Sequence, residues 1–199
     1  GNKYIYVAIL NRDQNHLVLK KYDPSTGEEL AVLFEEKSEK YVEPEHPLYF
    51  VEETTDRFIW MSERDGYDHL YLYSTDGELV RQLTQGEWVV TEFLGTDDDG
   101  KEAFFMATKE SPLNRDLYAV NLKNGDIRKV FERTGTHQVI PSAGFDLFVD
   151  VFSDSVTTRD YSVMNDKGKE MQSLLKSANP LEDYKTAGMK IFTLKAEDG

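Results

Sequence analysis

The sequence contains no cysteine. That excludes disulfides, thiolate nucleophiles and cysteine-ligated zinc, and it leaves the redox compartment open. Basic residues are scarce. The 23 lysines and arginines stand against 37 carboxylates, for a net charge of -14. Such a surface repels a phosphate backbone and argues against a nucleic-acid partner. No apolar run approaches the length of a bilayer span, and no basic or amphipathic patch suits a membrane surface. No signal-peptide pattern opens these residues. The four histidines, His16, His46, His69 and His137, share no helical or short-loop spacing, so neither a metal site nor a cofactor is expected. Asp97-Asp98-Asp99-Gly100 has the look of a calcium loop. Placing Gly100 at the sixth loop position puts Gly95 first and Met106 last, where carboxylates are needed, so the segment reads as a turn.

What is present argues for β-structure. Hydrophobic residues make up 39% and aromatics 12%, which supports a folded chain. Its 199 residues suffice for one sizeable core and are too few for two comfortable domains. Tyrosine and phenylalanine are abundant, as sheets favour. The organising stretch runs from Ser62 to Thr84. Trp60 and Met61 lead into a polar turn, Glu63 to Gly66. His69 to Tyr73 follows as an aromatic, branched-apolar strand, then the hairpin signal Asp76-Gly77, then the alternating Leu79 to Leu83.

This pattern repeats. Leu17, Leu70, Leu117 and Tyr161 each open a strand after a polar turn, at intervals of 53, 47 and 44 residues. A turn glycine follows each of them: Gly27, Gly77, Gly125 and Gly168. Before each lies a further strand, predicted over Tyr4 to Leu10, Arg57 to Ser62, Glu102 to Thr108 and Asp146 to Ser153. These runs are nearly continuous in apolar residues, which predicts burial on both faces. Shorter strands are predicted at Leu48 to Val51, Val89 to Leu94 and His137 to Pro141. Outer strands are predicted at Glu29 to Phe34, Glu78 to Leu83, Asp126 to Phe131 and Lys169 to Leu174.

Four strands in about 45 residues are the measure of a β-propeller blade. The fold class is all-β, a partial propeller of about four blades, with units at 1-43, 44-88, 89-135 and 136-178. The first unit lacks its innermost strand. Gln172 to Tyr184 reads as a short helical turn or an irregular crossing that closes the propeller region 1-188. Met189 to Leu194 alternates and is expected to form one more strand within 189-199. The chain is expected to begin inside a longer protein and to lead onward past Gly199.

These residues resemble a known family. Trp60-Met61-Ser62-Glu63-Arg64-Asp65-Gly66-Tyr67-Asp68-His69-Leu70-Tyr71-Leu72-Tyr73, then Arg81 to Val90, are similar to the propeller of the dipeptidyl peptidase IV branch of the prolyl oligopeptidase family. Arg115-Asp116-Leu117-Tyr118 and Asn165-Asp166-Lys167-Gly168 fit its later blades, and Phe192 to Gly199 is similar to its return strand. The resemblance implies an eight-bladed propeller capping an α/β-hydrolase domain with a Ser-Asp-His triad. It implies a whole protein that removes N-terminal dipeptides, typically after Pro or Ala, with these residues as the later half of the propeller.

Catalytic residues are not expected. The nucleophile elbow needs Gly-x-Ser-x-Gly, and no glycine here is followed two positions later by serine. The paired glutamates that hold the substrate amine in the family belong upstream, so neither Glu52-Glu53 nor Glu35-Glu36 takes that role. His69 is read as a structural hydrogen-bonding residue, with no nucleophile to serve. Arg64, Asp65 and Gly66 are read as organising the turn, and Trp60 and Trp88 as packing between blades. Tyr41-Val42-Glu43-Pro44-Glu45-His46-Pro47 reads as a proline-stiffened blade connector. By the resemblance, Tyr41, Glu43 and His46 would border the substrate's second residue.

The partners expected are therefore the absent hydrolase domain and, in the whole protein, a peptide substrate. There the propeller would gate access and support the hydrolase. The repeat alone supports an alternative, a standalone propeller-type interaction module. Open strand edges recruit partners, which predicts a homo-oligomer or a loosely held first blade. If bacterial, the whole protein is expected to be exported, to the periplasm or cell surface.

Overall fold

The computed structural model describes residues 3–51, 56–185, 187 and 191–197. Fifteen strands form four antiparallel sheets, and no helix occurs among the described residues. The first sheet holds β1 (Ile5–Leu10), β2 (His16–Tyr22) and β3 (Glu29–Lys37). The second holds β4 (Tyr49–Phe50), β5 (Arg57–Ser62), β6 (His69–Ser74) and β7 (Leu79–Gln82). The third holds β8 (Val90–Thr96), β9 (Glu102–Ala107), β10 (Asp116–Asn121) and β11 (Ile127–Lys129). The fourth holds β12 (Thr136–Pro141), β13 (Leu147–Ser153), β14 (Asp160–Asn165) and β15 (Glu170–Lys176).

Within each sheet the strands follow chain order, because each is joined to the next by a short antiparallel turn. Registers are regular at the centre of the middle sheets, with Trp60 opposite Tyr71 and Phe105 opposite Tyr118. Three apolar cores lie between sheets. Leu17, Leu19, Phe58, Trp60, Tyr71 and Tyr73 join the first to the second. Met61, Leu70, Leu72, Trp88, Phe105 and Tyr118 join the second to the third. Phe104, Met106, Leu117, Phe131, Phe145 and Phe148 join the third to the fourth. Among the described residues no core joins the first sheet to the fourth. The described residues form a partial propeller, and among them one face of the first sheet and one face of the fourth carry no packed sheet.

Three expectations change. The strands before each repeat residue are buried on both faces only in the middle sheets, as in β5 and β9. In β1, Ile5, Val7 and Ile9 are exposed, because among the described residues no sheet covers that face. The segment after Gln172 does not turn away at once. Gln172 to Lys176 continues β15, held to β14 by a ladder with two bulges, and turns follow at 180–183. Residues 191–194 carry no strand, and Met189 and Lys190 lie outside the described residues.

A repeated clasp binds neighbouring sheets. Lys21 donates to the Thr75 carbonyl at 3.2 Å, Arg81 to the Lys123 carbonyl at 3.3 Å and Arg128 to the Asp166 carbonyl at 2.8 Å. Each acceptor stands two residues before a turn glycine, so each turn is gripped by the preceding sheet. Gly77 and Gly168 have left-handed φ of 91° and 76°. A Cβ on either would strike the backbone of the preceding sheet's outer segment, at Leu33 and Val130. Handedness and close approach both demand glycine there.

Candidate functional site

The connector between β3 and β4 builds an open concavity. Its hold on the first sheet is Val42, which is buried and donates its backbone N–H to the Gln14 carbonyl at 2.6 Å. Gln14 adopts a left-handed φ of 55° in the β1–β2 turn, aiming that carbonyl outward. Leu10, Gln14, Tyr41, Val42, Glu43, Pro44 and Glu45 line an open groove of about 470 Å³. Tyr41 is half exposed.

The β5–β6 turn forms the next wall. Glu36, Lys37, Ser38, Tyr41, Val42, Glu63 and Arg64 line an adjoining cavity of about 100 Å³. Arg64 is held on every side. Its Nε donates to Ser62 Oγ at 3.1 Å, one Nη donates to the Tyr73 hydroxyl at 2.5 Å, and the other pairs with Glu36 of the first sheet. The guanidinium also lies 4.2 Å from the Tyr71 ring centroid, a cation–π contact. Burial works against its charge, yet the bonds to Tyr73 and Glu36 prevail and raise its pKa. Trp60 Nε1 donates to the same Glu36 carboxylate at 2.9 Å.

Acidic charge collects beside this turn. The Asp68 carboxyl is pushed up to about 6 by burial first, then by Glu63, Glu45 and Glu43. Glu43, Glu45, Glu63 and Asp68 therefore share one negative field, suited to attracting a cationic group. Sequence spacing gave no sign of it, because the four carboxylates come from two separate segments.

The remaining sequence-nominated residues lie elsewhere. His46 bends away from the groove, its Nδ1 2.7 Å from the Pro47 carbonyl and its ring edge-on to Phe93 at 5.3 Å. Asp65 accepts from Gln82 at 2.6 Å, and Gly66 closes the turn with φ 100°. His69 is fully buried, 3.0 Å from both Thr84 Oγ1 and the Gly86 carbonyl. The carbonyl can only accept, so Nε2 carries the proton. Thr84 Oγ1 already accepts from the Leu70 N–H at 2.9 Å, which frees its hydroxyl hydrogen for Nδ1. Trp88 seals the ring from the side at 4.8 Å. The structure thus brings Tyr41, Glu43 and Arg64 to one locality and leaves His46, Asp65 and His69 outside it. Glu52 and Glu53 lie outside the described residues. Among the described residues no group of three His, Asp or Glu could hold a metal ion.

The model of the dipeptidyl peptidase IV N-terminal region matches residues 1–159. The chain belongs to that family. Its backbone superposes on a Bacteroides ovatus structure described as a dipeptidyl aminopeptidase IV, with a TM-score of 0.89 and 35% identity. That match covers 99% of this chain and 31% of the other. The Porphyromonas gingivalis dipeptidyl peptidase 4 structure gives a TM-score of 0.77 at 30% identity, over 87% of this chain and 24% of its own. Dipeptidyl peptidase 4 of Arthroderma otae is 27% identical over 157 residues, 71% of this chain and 19% of that protein. The chain spans less than a third of the length of each of these relatives. As a member of the dipeptidyl peptidase IV N-terminal family, it is a propeller segment of that class, and its relatives are named as peptidases.

Proposed function

We propose that this chain is the non-catalytic propeller portion of a serine exopeptidase that removes N-terminal dipeptides, typically after Pro or Ala. The observation that carries this reading is the match to the dipeptidyl peptidase IV N-terminal region over residues 1–159, in a chain without a Gly-x-Ser-x-Gly elbow. Its role is to gate substrate access and to support an α/β-hydrolase domain in the same polypeptide. The groove of Tyr41 and Glu43 faces the substrate path in this reading, and the acidic field around Asp68 favours the protonated N-terminus of an incoming peptide. Export to the periplasm or cell surface belongs to the same reading, and fractionation of the source cells tests it.

Chromogenic Gly-Pro and Ala-Pro dipeptides test the division of labour. The 199-residue chain is expected to release no chromophore. The coding sequence on either side is expected to supply the elbow with later Asp and His downstream. A gene that ends near Gly199 would replace this reading with the standalone interaction module. In the full-length enzyme, Glu43→Gln is expected to raise KM up to about tenfold with kcat little changed, the pattern of lost ground-state binding.

A further inference from the structure

The third and fourth sheets do not close along the whole of their shared face. The outer strand β11 is three residues long, against nine in β3 and seven in β15. After Phe131 the chain runs exposed through Glu132, Arg133 and Thr134, and then Gly135 and His137 return to bond Arg115 beside β10. A slot of about 200 Å³ is left between this segment and the fourth sheet. Register places its far wall. His137 stands opposite Phe152, Asp150 opposite Ser162, and Met164 opposite Glu170, on the face turned toward the third sheet.

The donors around this slot are committed, and its acceptors are left over. His137 is buried, and its Nε2 donates to the Arg133 carbonyl at 2.8 Å. Its Nδ1 stands 2.9 Å from both oxygens of the Asp150 carboxylate, so that contact holds a proton as well. Arg133, at the mouth, gives one Nη to Asp160 at 2.8 Å and the other to Thr157 Oγ1 at 2.9 Å, with its guanidinium 3.5 Å from the Phe152 ring centroid. The Ser162 hydroxyl donates to Glu170 at 3.3 Å. What remain are lone pairs of Asp150 and Ser162, which stand only 5% and 8% exposed, and the rim carboxylates of Glu132 and Glu170. Phe131, Phe152 and Met164 add an apolar lining. A ligand that fits must bring hydrogen-bond donors, positive charge and a short apolar body.

We propose that this slot binds a small alkylammonium compound. The ammonium donates to Asp150 and Ser162, and the alkyl chain lies along Phe131, Phe152 and Met164. A neutral alcohol of the same shape brings no charge to the carboxylates, and an anion meets like charge. This inference goes beyond the peptidase reading and uses none of its residues, and its test reads no peptidase activity.

Cadaverine is the probe, titrated into the chain by calorimetry, with n-pentanol as its neutral counterpart. Cadaverine is expected to bind saturably, and n-pentanol is not. Asp150→Asn removes the buried charge and is expected to weaken cadaverine about tenfold or more. Because Asp150 also holds His137, Glu170→Lys provides a second variant at an exposed rim position. It is expected to keep the β-sheet circular dichroism and to weaken cadaverine about fivefold or more. Glu28→Lys makes the same charge change in the exposed β2–β3 turn and is expected to leave binding unaltered. Absence of saturable cadaverine binding overturns the proposal, and so does equal binding of n-pentanol. An equal loss in Glu28→Lys and Glu170→Lys also overturns it, since the amine would then be following net charge alone.

Discussion

Arg64, in the β5–β6 turn, crosses the first sheet junction to pair with Glu36 at the end of β3. The two residues stand on different blades, and Trp60 donates to the same carboxylate. Glu36→Ala leaves a half-buried guanidinium and a buried indole N–H without their acceptor. A loss on the order of 2 kcal/mol is expected, read as a lower denaturant midpoint. Arg64→Lys keeps the charge but forfeits the fork that reaches Ser62, Tyr73 and Glu36 together, so it is expected to fall between wild type and Arg64→Ala.

The turn glycines are not equivalent. Gly27→Ala places a methyl in open space and meets only the left-handed backbone penalty, about 1 kcal/mol. Gly168→Ala and Gly77→Ala meet that penalty and also the backbone of the neighbouring sheet. Each is expected to cost on the order of 3 kcal/mol or more, since a backbone contact cannot step aside as a side chain does. Denaturation of the three variants side by side checks the order.

His69→Ala removes two hydrogen bonds and empties volume beneath Trp88. It is expected to destabilise by about 3 kcal/mol, with the loss shown as reduced protection of the Leu70 amide in hydrogen exchange. His69→Gln keeps a donor for the Gly86 carbonyl and is expected to recover part of it. In the proposed full-length peptidase, His69→Gln with wild-type kcat and KM would agree with a purely structural role.

Asp68 gives the chain a pH signature. Its folded pKa lies near 6, above the ordinary 3.8, so the folded state holds the proton more tightly than the unfolded state. Between those values the unfolded chain binds fewer protons, and stability falls as pH rises. The penalty is absent below about pH 4 and complete above about pH 6. Asp68→Asn is expected to match wild type near the acid limit and to exceed it in stability toward neutral pH, by denaturant midpoint.

Much of the fold was legible because hairpins are local. Asp76-Gly77 and its counterparts at Gly125 and Gly168 set the turns, and alternation between them set the strands. Strand ends were less legible. The β15 segment continues to Lys176 because the β14 ladder holds it, although its own pattern is weak. The candidate site was legible only in its connector, where Tyr41 to Pro47 carried proline and aromatic signals. The acidic group of Glu43, Glu45, Glu63 and Asp68 was not, since nothing local links a connector to a turn in the next sheet.

By itself the sequence determined the all-β class, the repeat and the turn glycines, because each follows from neighbours along the chain. The tertiary structure alone decided that Lys21, Arg81 and Arg128 grip the turn ahead, that Arg64 meets Glu36, and that His69 is sealed beneath Trp88. It also decided which apolar strand faces were covered and which were left open. Ile5 and Phe58 read alike in sequence; the first is exposed and the second fully buried, because only one of them has a sheet packed against it.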